Sequence, residues 1–127
     1  MQNKECEGVW ARISLGKNSH LLVGACYRSP NASIEESLDL SKMMSAAADS
    51  NDLIFGDFNY PNIDWINFDA DSGSRHFLNM VNNSYWTQHV TRPTRGSNIL
   101  DLVLTTEPDM ISEVEAHEHL ANCDHNI

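Results

Sequence analysis

The sequence feature that most constrains the fold of this chain is an apolar segment that ends in a glycine and an aspartate. Residues 53–59 read Leu-Ile-Phe-Gly-Asp-Phe-Asn, which is typical of a buried strand and the turn after it. Because side chains alternate along an extended segment, we expect Asp57 and Asn59 to share one face. Gly56 would leave room for a ligand, and the two polar side chains suit a divalent cation, a water molecule or a phosphate. The alternative is an Asx-turn in which Asp57 and Asn59 bond nearby backbone.

The other apolar patterns predict strands interleaved with helices, an α/β or α+β fold. Alternation from Val9 to Leu15 predicts a strand that buries those apolar residues, and residues 21–27 predict a second strand buried on both faces. Further along, the patterns predict a helix from a capping box at Ser33 to about Asp49 and a second helix over 74–83. Between them they predict a polar loop over 59–73 that exposes Tyr60 and Trp65. A strand over 99–104 and a weaker strand over 111–116 follow.

Composition limits the classes of protein to which the chain can belong. Its 127 residues have room for one domain with a modest core, and no apolar run approaches the ~20 residues that span a bilayer. Three cysteines without paired spacing favour a reducing compartment, so we expect an intracellular protein, nuclear or cytoplasmic, with no membrane partner. The formal net charge of −10 argues against a free-standing DNA-binding module, although a bound cation would offset local carboxylates.

Three further motifs carry chemistry, and each also has an ordinary structural explanation. Asp101 lies in an apolar run, where a buried carboxylate needs a partner unless it faces solvent. Arg92 and Arg95 place two of the eight basic residues in one loop, which is either a phosphate-facing loop or an exposed turn. Asp124 and His125 either supply a general base and a phosphate contact or are simply polar residues at the chain end.

Zinc is a competing hypothesis for the last part of the sequence. Histidine and cysteine, the usual zinc ligands, occur close together there at His117, His119, Cys123 and His125. Their spacing matches no common structural zinc motif, so a solvated acidic edge is the simpler interpretation.

The order of these motifs resembles the endonuclease/exonuclease/phosphatase superfamily. The residues that carry the resemblance are Tyr-Arg-Ser-Pro at 27–30, Gly-Asp-Phe-Asn at 56–59, Pro-Thr-Arg at 93–95 with Asn-Ile-Leu-Asp-Leu-Val-Leu-Thr at 98–105, and Cys-Asp-His at 123–125. From about Glu7 to Ile127 the chain is most similar to the endonuclease domain of non-LTR (LINE-type, jockey-like) retrotransposon polyproteins. The resemblance implies part of a four-layer αββα sandwich, with the active site at one rim of its sheets.

The resemblance also assigns roles to individual residues. Tyr27 would contact the scissile phosphate, Asp57 would orient or deprotonate the attacking water, and Asn59 would help to hold the phosphate. Asp101 would support the catalytic histidine, which is His125. In-line attack on a phosphodiester needs an activated water and neutralised phosphate oxygens, and these residue types can supply both.

Metal and DNA contacts follow from the same resemblance. Asp124 would be a carboxylate on the metal side of the site, and Arg28, Arg92 and Arg95 would contact phosphate or DNA. Mg²⁺ fits a site built from oxygen ligands, and Mn²⁺ could replace it. DNA is therefore the implied partner, and intact relatives continue into a reverse transcriptase domain that we do not find in this sequence.

Departures from the family pattern lead us to expect a fragment. Relatives carry an asparagine strand and the principal metal-binding glutamate upstream of the first hairpin, and Glu5 and Glu7 do not match that glutamate. Cys123 stands where a serine is usual. We expect residues 1–127 to be a single, N-terminally incomplete domain that leaves apolar strand faces uncovered and aggregates. The implied function is a fragment of a Mg²⁺-dependent DNA endonuclease, and the alternative is an inactive remnant that acts as a protein-interaction module.

Overall fold

The computed structural model describes residues 6–48 and 51–111, which form a mixed sheet with helices on one face. The elements in chain order are β1 (Cys6–Gly16), β2 (Ser19–Arg28), α1 (Ile34–Ala47), β3 (Asp52–Asp57), β4 (Ile63–Asp64), β5 (Asp69–Ala70), α2 (Arg75–Asn83), β6 (Thr87–Gln88), β7 (Asp101–Thr105) and a 3₁₀ turn (Pro108–Met110). This arrangement confirms the α/β (α+β) fold class and is consistent with an endonuclease/exonuclease/phosphatase type of fold.

One five-stranded sheet has the order β1-β2-β3-β7-β6, while β4 and β5 form a separate small hairpin. β2 pairs with β3 in parallel, and the other neighbours in the main sheet are antiparallel. α1 provides the crossover that a parallel pair requires. Within the described ranges no helix is both long enough and apolar enough to cross a membrane.

Local sequence signals account for the start of α1. Ser33 is the N-cap, and its hydroxyl accepts a hydrogen bond from the amide of Glu36 at 3.1 Å. Such a cap contributes about 1 kcal/mol, and acidic side chains in the first turn favour the helix dipole. The predicted capping box is therefore confirmed, as is the second predicted helix, which spans Arg75–Asn83.

The hydrophobic core lies between the two helices and one face of the sheet. Ile54 of β3 and Leu104 of β7 are cross-strand partners, and both are fully buried. They belong to the same cluster as Met44 of α1 and Phe77 of α2. Fully burying side chains of this size stabilises the fold by about 1.5–3 kcal/mol each, so this cluster determines which face of the sheet the helices cover.

The opposite face of the main sheet, called the open face here, carries a cross-strand row of Val9, Ala25, Phe55 and Val103. Val9 is 74% exposed and Ile13, on the same face of β1, is 45% exposed. The prediction that the apolar stripe from Val9 to Leu15 is buried was therefore wrong for the described residues. The period-2 pattern identifies an apolar face correctly, but it does not show whether anything packs on that face.

Two further expectations need correction. β2 is not buried on both faces, because its open-face residues are only partly covered in the part of the chain that the structure describes. Tyr60 and Trp65 are only 3% and 7% exposed, so the loop over 59–73 does not present them to a partner. Tyr60 stacks on Phe77 with ring centroids 4.6 Å apart, and Trp65 meets the same ring edge-on. Aromatic burial outweighed the polar character of the surrounding loop.

The strand near the end of the described range is shorter than expected. β7 begins at Asp101 and not at residue 99, which places this aspartate at a strand end. Ile111 is not in a strand, and the rest of the strand predicted over 111–116 lies outside the described residues. Asp124 and the proposed zinc ligands, His117, His119, Cys123 and His125, also lie outside them.

Gly56 has a structural role different from the one predicted. A Cβ at this position would overlap the backbone carbonyl of Cys26 on β2, so the glycine makes room for the neighbouring strand and not for a ligand. The φ of Gly56 is +154°, which L side chains rarely adopt. The close approach of β2 to β3 therefore depends on glycine here.

Gly56→Ala should destabilise the protein by about 3 kcal/mol, because neither the Cys26 carbonyl nor the strand can move away without breaking the ladder. The measurement is the midpoint of urea unfolding. Gly73→Ala is the matched control, since the added methyl group would meet only a distant Asp71 side-chain atom. Equal midpoints for the two variants would contradict this account.

Replacing Val9 and Ile13 together with threonine should reduce binding of a hydrophobic dye and self-association, because both side chains are exposed on the open face. Threonine keeps the β-branched shape, so β1 should remain a strand. Ile34→Thr is the control, since Ile34 is also highly exposed but lies on α1. An unchanged dye signal and sedimentation profile in the double variant would count against the open face as a sticky surface.

Candidate active site

The strand register brings three of the predicted site residues together. Tyr27 on β2 is the partner of Asp57 on β3, and Asp57 is in turn the partner of Asp101 on β7. Paired residues project from the same face of a sheet, so the three side chains lie side by side. β2 and β3 end at this rim and β7 begins there, so these three residues lie at one rim of the sheet.

The carboxylate of Asp57 is held on both sides. Its Oδ1 accepts a hydrogen bond from the Asn59 amide at 3.2 Å, and its Oδ2 forms an ion pair with Nη2 of Arg95 at 2.7 Å. The Asp57 side chain is 13% exposed and that of Arg95 is 53% exposed. The site is therefore a largely enclosed carboxylate whose positive partner reaches it from solvent.

The surroundings of Asp57 also change its proton affinity. Burial raises its pKa above the usual 3.8, and the neighbouring Asp101 carboxylate raises it further. The Arg95 guanidinium and the Asn59 amide lower the pKa, but the net direction is upward. A carboxylate with a raised pKa is a better proton acceptor than an ordinary aspartate, which suits a general base.

Asn59 does not continue the strand as predicted. β3 ends at Asp57, and Asn59 has a φ of +51°, a left-handed conformation that asparagine tolerates better than most residues. Its Nδ2 donates a 2.6 Å hydrogen bond to the carbonyl of Arg28. The Asx-turn interpretation is thus confirmed for the Asp57–Asn59 segment, and the expectation that both side chains share one strand face was wrong.

Arg28 is held within the fold by contacts to α1 and to the loop after β3. Its Nε donates to the Ser37 hydroxyl at 3.0 Å, and its Nη1 donates to the carbonyls of Phe58 and Asn59 at 3.2 and 2.9 Å. Its guanidinium carbon lies 3.9 Å from the centre of the Tyr60 ring. These contacts join β2, α1 and the loop after β3 next to the candidate site.

Sequence reasoning missed the anchor that positions Arg95. The hydroxyl of Thr94 accepts hydrogen bonds from the amides of Leu100 and Asp101, at 3.0 and 3.1 Å. A tight turn with Gly96 at φ +58° then returns the chain, and Arg95 and Asn98 bond each other's backbone. A threonine directly before an arginine and a glycine was the available signal, since threonine hydroxyls commonly bond nearby amides.

The two arginines of this loop differ in position. Arg95 pairs with Asp57, whereas Arg92 is exposed near the start of the loop. Both side chains are open to solvent, but it is the Arg95 guanidinium that the loop brings to the Asp57 carboxylate.

Side chains that commonly bind metal ions do not cluster in the described residues. In the ranges 6–48 and 51–111, no group of three or more His, Cys, Asp and Glu side chains could hold a metal ion. Asp57 and Asp101 are two neighbouring carboxylates, which is fewer protein ligands than such a group requires. Mg²⁺ usually keeps several waters and binds proteins through one or two carboxylates, so a Mg²⁺ centre needs fewer side chains than such a group.

Comparison with known proteins identifies a family that the chain resembles. A family model described as endonuclease-reverse transcriptase matches residues 21–127. No curated protein and no solved structure matches the chain. The matched range includes Tyr27, Asp57 and Asp101, the three residues that the strand register places side by side.

Arg95→Met should raise the pKa of Asp57 further, because it removes the strongest interaction that lowers it. Carbon-detected NMR of the Asp57 carboxyl group measures this directly, without substrate. Arg92→Met removes the same charge from the same loop but not from the ion pair, so it should leave that titration nearly unchanged. Identical shifts in the two variants would mean that general charge, and not the ion pair, controls Asp57.

Proposed function

Because the chain belongs to the endonuclease-reverse transcriptase family, we propose that it hydrolyses a DNA phosphodiester with a water molecule activated by Asp57. The observation that supports this most is the position of Asp57. It is an enclosed carboxylate with a raised pKa, it lies between Tyr27 and Asp101, and it is paired with an arginine that solvent can reach. Such a carboxylate can take a proton from water next to a positively charged phosphate-binding group.

Asp57 acts as the general base in this proposal. Its two oxygens are fixed by the Asn59 amide and by Arg95, so its orientation is set before substrate arrives. As the base must be ionised, activity should fall as pH drops through the raised pKa of Asp57. A correctly positioned base contributes about 10²–10⁴-fold to the rate.

Arg95 would exchange its partner when DNA binds. In the free protein it pairs with Asp57, and a phosphate oxygen is a competing anion for the same guanidinium. Transfer of Arg95 to the phosphate would neutralise the reacting group and release Oδ2 of Asp57 for the water. Tyr27, whose side chain is also exposed at the rim, would donate its hydroxyl to a second phosphate oxygen.

The loop over residues 91–97, called the arginine loop here, would supply the local attraction for DNA that the acidic chain otherwise lacks. The formal net charge is −10, so long-range attraction to the whole protein is unfavourable. Arg92 and Arg95 lie on one loop beside the site, where they would contact successive phosphates. Asn59 would act here through its backbone amide, which fixes Oδ1 of Asp57, because its Nδ2 is bonded to the carbonyl of Arg28.

The remaining roles depend on residues beyond the described ranges. Asp101 would orient His125, and Asp124 would be a ligand of Mg²⁺ or Mn²⁺. A divalent cation would supply Lewis-acid stabilisation of the leaving oxygen, and it would need ligands in addition to Asp57 and Asp101. The steps proposed for Asp57, Arg95 and Tyr27 use these side chains alone.

Nicking of supercoiled plasmid in the presence of Mg²⁺ tests the proposal. Asp57→Asn keeps the shape of the side chain but removes the base, so nicking should fall by about 10²-fold or more. Asp39→Asn is the control, since Asp39 is an exposed aspartate of α1 outside the row formed by Tyr27, Asp57 and Asp101. Chelation of divalent ions and replacement of Mg²⁺ by Mn²⁺ report on the metal in the same assay.

The outcomes separate the endonuclease from the alternative. Nicking that depends on Asp57 but not on Asp39 supports a phosphodiester hydrolase. A folded protein that shows no nicking with either metal would contradict the proposal and favour the inactive interaction module, which would then have to use a surface other than the buried Tyr60 and Trp65.

A further inference from the structure

Two side chains cross-link the ends of β2 and β3 just beyond the last pair of the ladder, Tyr27 with Asp57. Arg28 donates from Nη1 to the carbonyl of Asn59 at 2.9 Å, and Asn59 donates from Nδ2 to the carbonyl of Arg28 at 2.6 Å. The two bonds run in opposite directions between the same residues. They therefore continue the connection between the strands with side-chain bonds where backbone pairing stops.

Arginine is well suited to this position because its donors lie in a rigid plane. Nε reaches the buried Ser37 hydroxyl on α1 while Nη1 reaches the carbonyls of Phe58 and Asn59. The face of the same guanidinium lies over the Tyr60 ring, where a cation is attracted by the aromatic electrons. A lysine ammonium is a single point on a flexible stem and cannot make this set of contacts together.

The two bonds between Arg28 and Asn59 hold the backbone conformation of Asn59, whose amide in turn orients the Asp57 carboxylate. Asn59 is left-handed, with a φ of +51°, and a non-glycine residue keeps such a conformation only when neighbouring contacts hold it. In that conformation the Asn59 amide donates to Oδ1 of Asp57. The contacts thus form a continuous series from Arg28 through Asn59 to the carboxylate.

We propose that Arg28 is a positioning residue that holds Asn59, and through it the Asp57 carboxylate, and that Arg28 does not itself contact phosphate. This inference deepens the proposed function and rests on it only for the activity of Asp57. It replaces the DNA contact that the sequence predicted for Arg28 with a role inside the fold. Arg95, whose guanidinium solvent can reach, keeps the phosphate role.

Arg28→Lys tests the proposal, with Arg12→Lys on the exposed surface of β1 as the matched control. Two measurements need no DNA: amide hydrogen exchange at Asn59 and the pKa of Asp57 from NMR titration. If Arg28 holds the turn, exchange at Asn59 accelerates and the pKa of Asp57 rises, because the Asn59 amide bond that lowers this pKa is weakened. Unchanged exchange and an unchanged titration in Arg28→Lys would overturn the inference.

Kinetics and DNA binding then separate positioning from phosphate contact. A misplaced base should lower kcat by about 10- to 100-fold with little change in KM. The slope of log Kobs against log salt should stay unchanged in Arg28→Lys. Arg28→Met should also keep that slope, whereas loss of a phosphate contact would reduce it by ~0.9. A reduced slope would therefore overturn the proposal.

A milder variant covers the case in which Arg28→Lys does not fold. Ser37→Ala removes only the Nε partner of Arg28, and Ser41→Ala removes a buried hydroxyl one turn further along α1 that has no hydrogen-bond partner in the described structure. Faster exchange at Asn59 in Ser37→Ala alone supports the inference, and equal exchange in both contradicts it. If the exchange and pKa changes appear but the wild-type chain does not nick DNA, only the proposed function fails.

Discussion

The parallel pairing of β2 with β3 is the interaction on which the rest of the structure depends. It is possible only because Gly56 leaves space for the carbonyl of Cys26, and α1 supplies the crossover between the two strands. The pairing ends with Tyr27 beside Asp57, so the two residues reach the same rim from different parts of the chain. β7 completes the row from the other side with Asp101.

The electrostatics of the rim follow from this packing. Partial burial and a neighbouring carboxylate make ionisation of Asp57 harder, while one arginine from a separate loop makes it easier. Although the formal net charge of the chain is −10, the Arg95 guanidinium lies close enough to the Asp57 carboxylate to lower its pKa. Thr94 provides that position by accepting hydrogen bonds from the amides of Leu100 and Asp101, where β7 begins.

Much of the fold was predictable because its signals are local. The cap at Ser33, the helix predicted over 74–83 and the buried strand around Ile54 each follow from short-range patterns that the structure confirms. The short strands β4, β5 and β6 were not predicted, since two-residue elements form through pairing partners and carry little signal of their own. The burial of Tyr60 and Trp65 was missed for a similar reason, as it depends on the ring of Phe77 from another element.

The sequence by itself determined the residue types of the candidate site, the family to which the chain belongs and the alternation that marks one face of β1 as apolar. Only the tertiary structure decided which arginine pairs with Asp57, that Asn59 turns away from the strand, and that the helices cover the face opposite Val9 and Ile13. The physical reason is that periodicity and motif order are properties of neighbouring residues. Ion pairs, left-handed turns and the choice of a covered face depend on contacts between residues that are distant in the chain.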